Sequence, residues 1–402
     1  MKTFDICGPL PAGTTVLEAS AGTGKTFTIA ALTARYVAEG VADLSQVMLV
    51  TFGNAASREL RDRVRERLVS AERGLRDPVA ARESGDDVLR MLAAAEDGEV
   101  GLRRARLARA LAGFDAATIA TTHSFCSQML TGLGMAADTD PAATFTDAID
   151  DLVREVVDDL YLRAYARPGA EPPTATYDEV LGLGRRAVGS DRAAQLQPLA
   201  ADGVAGQRRA VAQKVRDEVE ARKRRLGLVD YDDWLILLRD ALGDPARGAA
   251  ACERVRSRYR VVLVDEFQDT DPVQWEVLRL AFHDHIPLVL VGDPKQAIYG
   301  FRGGDVTTYL AAASLATLAA TLTRNWRSDD PLLRALGQLF GGAALGDPRI
   351  VVRPAQAAHP DARLSDAGAA LRLRRVARTG HGPLGKGLPK VEPVREAVAA
   401  DV

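Results

Sequence analysis

The chain has 402 residues, 47% of them hydrophobic and 26% charged, with a formal net charge of −2. That length and composition describe a folded protein of two or three domains with a large buried core. Near neutrality excludes a uniformly basic coat for nucleic acid but leaves room for a local basic channel.

No apolar run approaches membrane-spanning length, so no membrane partner is expected, and the N-terminus lacks a charged-then-apolar leader pattern. The three cysteines, Cys7, Cys126 and Cys252, are far apart and lack metal-ligand spacing, which fits a reducing, cytoplasmic setting.

In chain order, Thr15 to Leu17 is a short β-rich run that enters a loop of small residues, Ala19-Ser20-Ala21-Gly22-Thr23-Gly24-Lys25-Thr26. This reads as a phosphate-binding loop with one departure, Ala19 where the first glycine usually stands. Small residues let successive backbone N–H groups turn toward phosphate oxygens, and the following helix adds its positive dipole end. Lys25 would reach the β- and γ-phosphates of ATP, and the Thr26 hydroxyl would ligate Mg²⁺. The bland alternative is a glycine-rich turn between a strand and a helix.

Helical spacing then runs from Phe27 to Val37, and Val47–Phe52 is an apolar run of strand length. Asn54 and Ala55 open a second helix with Ala56, Leu60, Val64 and Leu68 on one stripe and an arginine-rich opposite face, read as solvated. Residues 70–111 are helical in pattern; Ala117–Thr122 is a strand, and His123 to Leu130 starts a helix. Residues 141–226 read as helices again, and Asp230 heads a helix with an acidic first turn. Strong strand runs follow at Val261–Val264 and Leu288–Val291, with weaker ones at Ala319–Thr323 and Leu371–Val376.

Strands alternating with helices predict an α/β fold, a parallel sheet with helices on both faces. Ligands of such sheets bind at the carboxyl ends of the strands. The chemically capable residues fall at that end of each run, which points to one shared site. Asp265 and Glu266 follow a buried strand, where Asp265 would serve Mg²⁺ opposite Thr26 and Glu266 would orient and deprotonate a water. The alternative is a solvated acidic turn. Gln296 would sense the γ-phosphate; Tyr299 and Phe301 offer faces for base stacking and Arg302 a phosphate contact, unless the two rings are ordinary core aromatics. Phe52, Asn54, Thr122 and His123 sit where a polynucleotide would cross the strand ends, although a lone histidine is more often structural. Trp326 would stack on adenine, and Arg327 would stabilise charge on the γ-phosphate.

Taken together, Ala19–Thr26, Thr51–Ala56, Thr121–Phe125, Val264–Thr270, Val291–Asp305 and Asn325–Ser328 resemble, in order, motifs I to IV of superfamily 1 DNA helicases of the UvrD/Rep type. Glu18–Ala31, Gly292–Arg302 and Leu345–Ile350 are similar to the RecB-type branch of that family. The resemblance implies a first RecA-like P-loop NTPase domain from residues 1–69, 112–140 and 227–312. It implies a helical insertion from 70–111 and 141–226, and an incomplete second RecA-like domain at 313–402. It further implies ATP and Mg²⁺ as cofactors, 3′ to 5′ movement on single-stranded DNA from DNA ends, and RecC-like and RecD-like partner subunits.

By that resemblance Lys25, Thr26, Asp265, Glu266, Gln296 and Arg327 serve ATP, while Phe52, Asn54, His123, Tyr299 and Phe301 line the DNA track. Two departures stand out. Phe27 occupies the place of an adenine-stacking arginine, so clamping of the base rests on Trp326, and Phe301 replaces a tryptophan. Thr379 to Leu388 faintly echoes motif V, but its spacing is too long, and it reads as a glycine-rich loop. Without motifs V and VI or a nuclease domain, the sequence reads as the N-terminal part of a longer subunit, expected to bind ATP with hydrolysis weak or absent on its own. Two rivals stay open: an AddA-type helicase–nuclease fragment, and a non-catalytic module that binds ATP, DNA or a partner.

Overall fold

The computed structural model describes residues 1–134, 143–169, 172–173, 175–189, 195–199, 203–298, 304–363, 368–372, 380, 384–385 and 388–401. Its centre is a seven-stranded, wholly parallel sheet. The strands are β1 (Lys2–Thr3), β2 (Thr14–Ala19), β3 (Val47–Thr51), β4 (Thr118–Thr121), β7 (Val261–Val264), β8 (Leu288–Gly292) and β9 (Leu318–Leu322). They lie in the order β1-β9-β2-β8-β7-β3-β4. Every residue of β2, β3, β7 and β8 is buried. Burial on both faces explains why these strands are continuous apolar runs without alternation.

Alternate side chains of β2, β3, β7 and β8 serve two cores. Leu17, Leu49, Leu263 and Val289 face one, closed by α1 (Lys25–Ala38), α2 (Asn54–Gly74), α3 (Pro78–Arg82), α4 (Asp87–Ala93) and α5 (Asp97–Ala112). Val16, Met48, Val262 and Leu290 face the other, closed by α6 (Thr122–Leu133), α10 (Tyr231–Gly243), α11 (Gly248–Arg256), α12 (Pro272–Phe282) and α13 (Val306–Leu315). A third core, built on Val153, Val156, Val157, Val180, Val215 and Val219, belongs to α7 (Ile149–Tyr165), α8 (Tyr177–Val188) and α9 (Gly203–Leu226) alone. Around this bundle, β5 (Thr144–Phe145) and β6 (Leu228–Val229) pair in parallel where the chain leaves and rejoins the sheet domain.

The two helical stretches grouped together on sequence therefore differ in packing. Leu75, Leu92, Val100 and Leu107 share the core of α1 and the sheet, whereas α7, α8 and α9 close a core of their own. The strand expected at Ala319–Thr323 is β9, which pairs with both β2 and β1 inside the main sheet. A domain boundary at 313 would fall within α13, whose Tyr309, Leu310 and Ala312 are buried in the second core.

Strand β1 carried no sequence signal, because two exposed residues on a sheet edge show no pattern. Of the expected strand Leu371–Val376, Leu371 and Arg372 are irregular and the rest lies outside the described residues. The remaining elements are β10 (Arg324–Asn325), β11 (Gln356–Ala357), α14 (Asp330–Phe340), a hairpin of β12 (Leu384–Gly385) and β13 (Leu388–Pro389), and α15 (Val391–Asp401). That hairpin takes up the described part of the segment that echoed motif V.

Candidate functional site

Strand β2 ends at the buried Ala19, and the chain turns through Ser20–Gly24 before α1 begins at Lys25. Gly22 and Gly24 have φ of +80° and +89°, left-handed values that strain any residue with a side chain. Space excludes a larger residue at Gly22 as well: a Cβ there would lie 2.6 Å from the Cβ of Arg327 and 2.9 Å from Asn325 Oδ1. Within the turn, the backbone N–H and hydroxyl of Thr23 donate to the Ser20 carbonyl at 3.1 and 2.7 Å. Thr26 lies in the first turn of α1, beside Lys25.

The Lys25 ammonium donates to Glu266 Oε2 at 2.6 Å. Glu266 follows the end of β7 with φ +50° and ψ +43°. A non-glycine residue held in that region stores strain, which surrounding contacts must overcome. Here the same Oε2 also accepts from Gln268 Nε2 at 2.8 Å, and Gln268 Oε1 accepts the Asp293 N–H at 2.9 Å. Asp293 Oδ2 accepts from Gln296 Nε2 at 2.6 Å, while its Oδ1 lies 2.7 Å from Lys295 Nζ. Lys295 in turn donates to Glu18 Oε1 at 2.7 Å, one residue before the loop starts. Hydrogen bonds thus run from Lys25 through Glu266, Gln268, Asp293 and Lys295 back to the base of the loop that precedes α1, with Gln296 attached. Gln268, Lys295 and Glu18 were given no site role on sequence, because their relation exists only across three strand ends.

Asp265 and Asp269 flank this path. Burial, then the nearby Glu266 carboxylate, pushes each carboxyl up to about 6. Asp269 Oδ1 is buried without a hydrogen-bond partner. Carboxylates crowded in this way call for a cation. Among the described residues no group of three or more His, Cys, Asp or Glu forms a ready-made metal cage. Mg²⁺ in nucleotide sites keeps several waters and takes one or two protein ligands plus phosphate oxygens. Thr26, in the first turn of α1, and Asp265, just past β7, are the residues of the right chemistry to serve as such ligands.

The turn after β10 closes over the loop. Buried Asn325 donates from Nδ2 to the Ala21 carbonyl at 2.9 Å and accepts the N–H groups of Arg327 and Ser328 at 2.9 and 2.8 Å. The Trp326 N–H donates to the Gly22 carbonyl at 2.8 Å. Trp326 and Arg327 are exposed beside the loop. A cavity of about 320 Å³ opens next to it, walled by Thr23, Phe27, Asp86, Val88 and Trp326 among others.

At the other end of the sheet, Phe52 lies just past β3, and the exposed Asn54 opens α2. Thr122 begins α6, capped by the Thr121 hydroxyl on Ser124 N–H at 3.3 Å. His123 meets the ring of Tyr231 at 5.1 Å, edge to face. Tyr231 meets Phe145 at 4.7 Å, and Phe145 stacks on Trp234 at 4.8 Å and 21°. Burial holds His123 below its ordinary pKa, against the opposing pull of Asp232 and Asp230. Sequence reading singled out His123 and gave no role to Phe145, Tyr231 or Trp234, whose rings cluster with it. The only hint was an aromatic-rich helix start at Tyr231. Tyr299, Phe301 and Arg302 lie outside the described residues.

The profile of the UvrD/REP helicase N-terminal domain matches residues 6–316. The RecBCD enzyme subunit RecB of Mycolicibacterium smegmatis is 51% identical over 384 residues, which is 94% of this chain and 34% of that relative. The protein of the same name from Mycobacterium tuberculosis is 47% identical over 410 residues, 100% of this chain and 37% of the relative. That of Escherichia coli is 43% identical over 135 residues, 33% of this chain and 11% of the relative. The chain spans about a third of the length of the two mycobacterial relatives, which match it along nearly its whole length.

Proposed function

The chain belongs to the family of the UvrD/REP helicase N-terminal domain, and from that premise we propose that it is the ATP-binding motor part of a DNA helicase subunit that processes DNA ends for recombinational repair. The observation that carries the reading is the path of hydrogen bonds that joins Lys25, Glu266, Gln268, Asp293 and Gln296 around the phosphate loop. A structural salt bridge would need only two of these groups. When bound, Mg²⁺ and ATP supply the neutralising charge and the cleavable phosphoanhydride.

The chain's own residues do the rest. Gly22 to Thr26 cradle phosphate oxygens, and Thr26 and Asp265 hold the metal. Lys25, now on Glu266, would exchange that carboxylate for the β- and γ-phosphates, leaving Glu266 free to take a proton from a water as its oxygen bonds to the γ-phosphorus and the bond to the β-phosphate oxygen breaks, with ADP leaving. Gln296, now on Asp293, would turn to the γ-phosphate, and Arg327, exposed beside the loop, would meet its charge. Because Gln268 touches both Glu266 and Asp293, the nucleotide state is passed to the segment that continues into Tyr299, Phe301 and Arg302. The single strand would run across the strand ends over Phe52, Asn54, Thr122 and His123, with Tyr231, Trp234 and Phe145 extending the stacking surface.

We assign the sheet with α1–α6 and α10–α13 to the first RecA-like unit, α7–α9 to its insertion, and the residues after β9 to the approach to a second unit. The relatives' name, RecBCD enzyme subunit RecB, supports RecC-like and RecD-like partners for the full-length subunit. The test is Lys25→Ala in the full-length subunit: DNA-stimulated ATP hydrolysis is abolished, and retained activity overturns the assignment.

A further inference from the structure

Phe27, in the first turn of α1, is 52% exposed, as is Trp326 at 53%, and both line the cavity beside the phosphate loop. A ring that open has little packing to hold it in place. One of its faces is nevertheless covered: the Arg67 guanidinium carbon lies 5.3 Å from the ring centroid. Arg67 comes from α2, three turns past its start, and is only 9% exposed.

Both its terminal nitrogens are held by Asp86, Nη1 on Oδ2 and Nη2 on Oδ1, the second at 2.9 Å. Asp86 is fixed in turn as the cap of α4, where its Oδ1 accepts the N–H groups of Val88 and Leu89 at 3.0 and 3.1 Å. The fork is thereby oriented flat and rigid. Phe27, Asp86 and Val88 line the cavity and Arg67 does not, which places the guanidinium behind the ring. Arg67 Nε is buried with no hydrogen-bond partner. An arginine kept solely to tie α2 to α4 would be expected to satisfy that donor, since leaving it unpaired costs stability.

We propose that Arg67 is the positioning residue of the nucleotide's base subsite: held by Asp86, it fixes the Phe27 ring flat against a purine whose other face meets Trp326. The inference rests on the ATP-binding reading above and assigns a role to Phe27 that sequence analysis gave to Trp326 alone. A cation behind the ring also draws its electron density away from the exposed face, which favours an electron-rich purine there.

The experiment compares Mg²⁺-dependent binding of ATP and of inorganic tripolyphosphate to the 402-residue chain, by calorimetry. Arg67→Gln weakens ATP about fivefold and leaves tripolyphosphate unchanged. In a Phe27→Leu background, Arg67→Gln adds nothing, because its effect passes through the ring. Arg67→Lys keeps the ion pair to Asp86 and lacks the planar fork; it loses about threefold for ATP alone, and serves if Arg67→Gln fails to fold.

Equal losses for ATP and tripolyphosphate, no loss for ATP, or additivity with Phe27→Leu overturns the proposal. Tripolyphosphate bound by the wild-type chain as tightly as ATP overturns the base clamp and leaves the phosphate loop standing. Binding of neither ligand sinks both.

Discussion

The two halves of the crevice above the sheet are built by opposite means. Over β2, β7 and β8 the contacts are charged, short and mutually dependent; each polar group from Lys25 to Glu18 has at least one named partner. Over β3 and β4 they are aromatic faces and edges: His123, Tyr231, Phe145 and Trp234 meet at 4.7 to 5.9 Å. A phosphate group has one charge distribution and demands fixed donors, whereas every base has a π-face and tolerates many stacking geometries. The first half is therefore sensitive to any single deletion, and the second should degrade gradually.

The largest effect should come from the charged half. Lys25→Ala is expected to weaken ATP binding at least about a hundredfold, since it removes a charge-assisted contact and leaves Glu266 facing the phosphates. Calorimetry on the chain checks it, and near-normal affinity would erase the contrast. In the aromatic half, Tyr231→Ala should weaken binding of an oligothymidylate about tenfold, the scale of one stacked base, with ATP affinity unchanged. Fluorescence anisotropy reads this, and a parallel loss for ATP would mean that the halves are not separable. Asn325→Ala should lower ATP affinity about fivefold by releasing the Trp326 turn from the Ala21 carbonyl, on the scale of one buried hydrogen bond. Unchanged affinity would show the turn to be held by Trp326 N–H alone.

The smallest effect is that of pH. Asp265 and Asp269 titrate near 6 in the folded chain, above the ordinary 3.8, because burial and Glu266 disfavour the charged form. Above pH 6 both are ionised and suit a cation; below it they bind protons instead. Mg²⁺-dependent ATP affinity should accordingly fall as pH drops from 7 to about 5.5. The sign for stability is opposite: the folded state binds these protons more tightly than the unfolded one, so the nucleotide-free chain loses stability as pH rises from about 4 through 6. Melting curves with and without Mg²⁺ and ATP separate the two trends, and parallel trends would refute the assignment of Asp265 to the metal.

Much of this was legible before the fold was known. Positions 15–26, the runs at 47–52, 261–264 and 288–291, and the carboxylates after them declare themselves through continuous apolar burial followed by a polar break. The helices at 70–111 did not reveal which core they join, because an apolar stripe states that a face is buried and not against what.

The sequence by itself determined the glycine-rich loop between β2 and α1, the parallel sheet and the carboxylates at its strand ends, since each is encoded by neighbours along the chain. Only the tertiary structure decided that Lys295 closes onto Glu18, that Gln268 bridges Glu266 to Asp293, that Asn325 fastens its turn to Ala21, and that Arg67 stands behind Phe27. Apart from the local step from Gln268 to Glu266, these contacts join residues 25 to 304 positions apart, and nothing in local periodicity carries information over that distance. Packing the strands in the order β9-β2-β8-β7 brings their ends side by side, and that order turns separate motifs into one site.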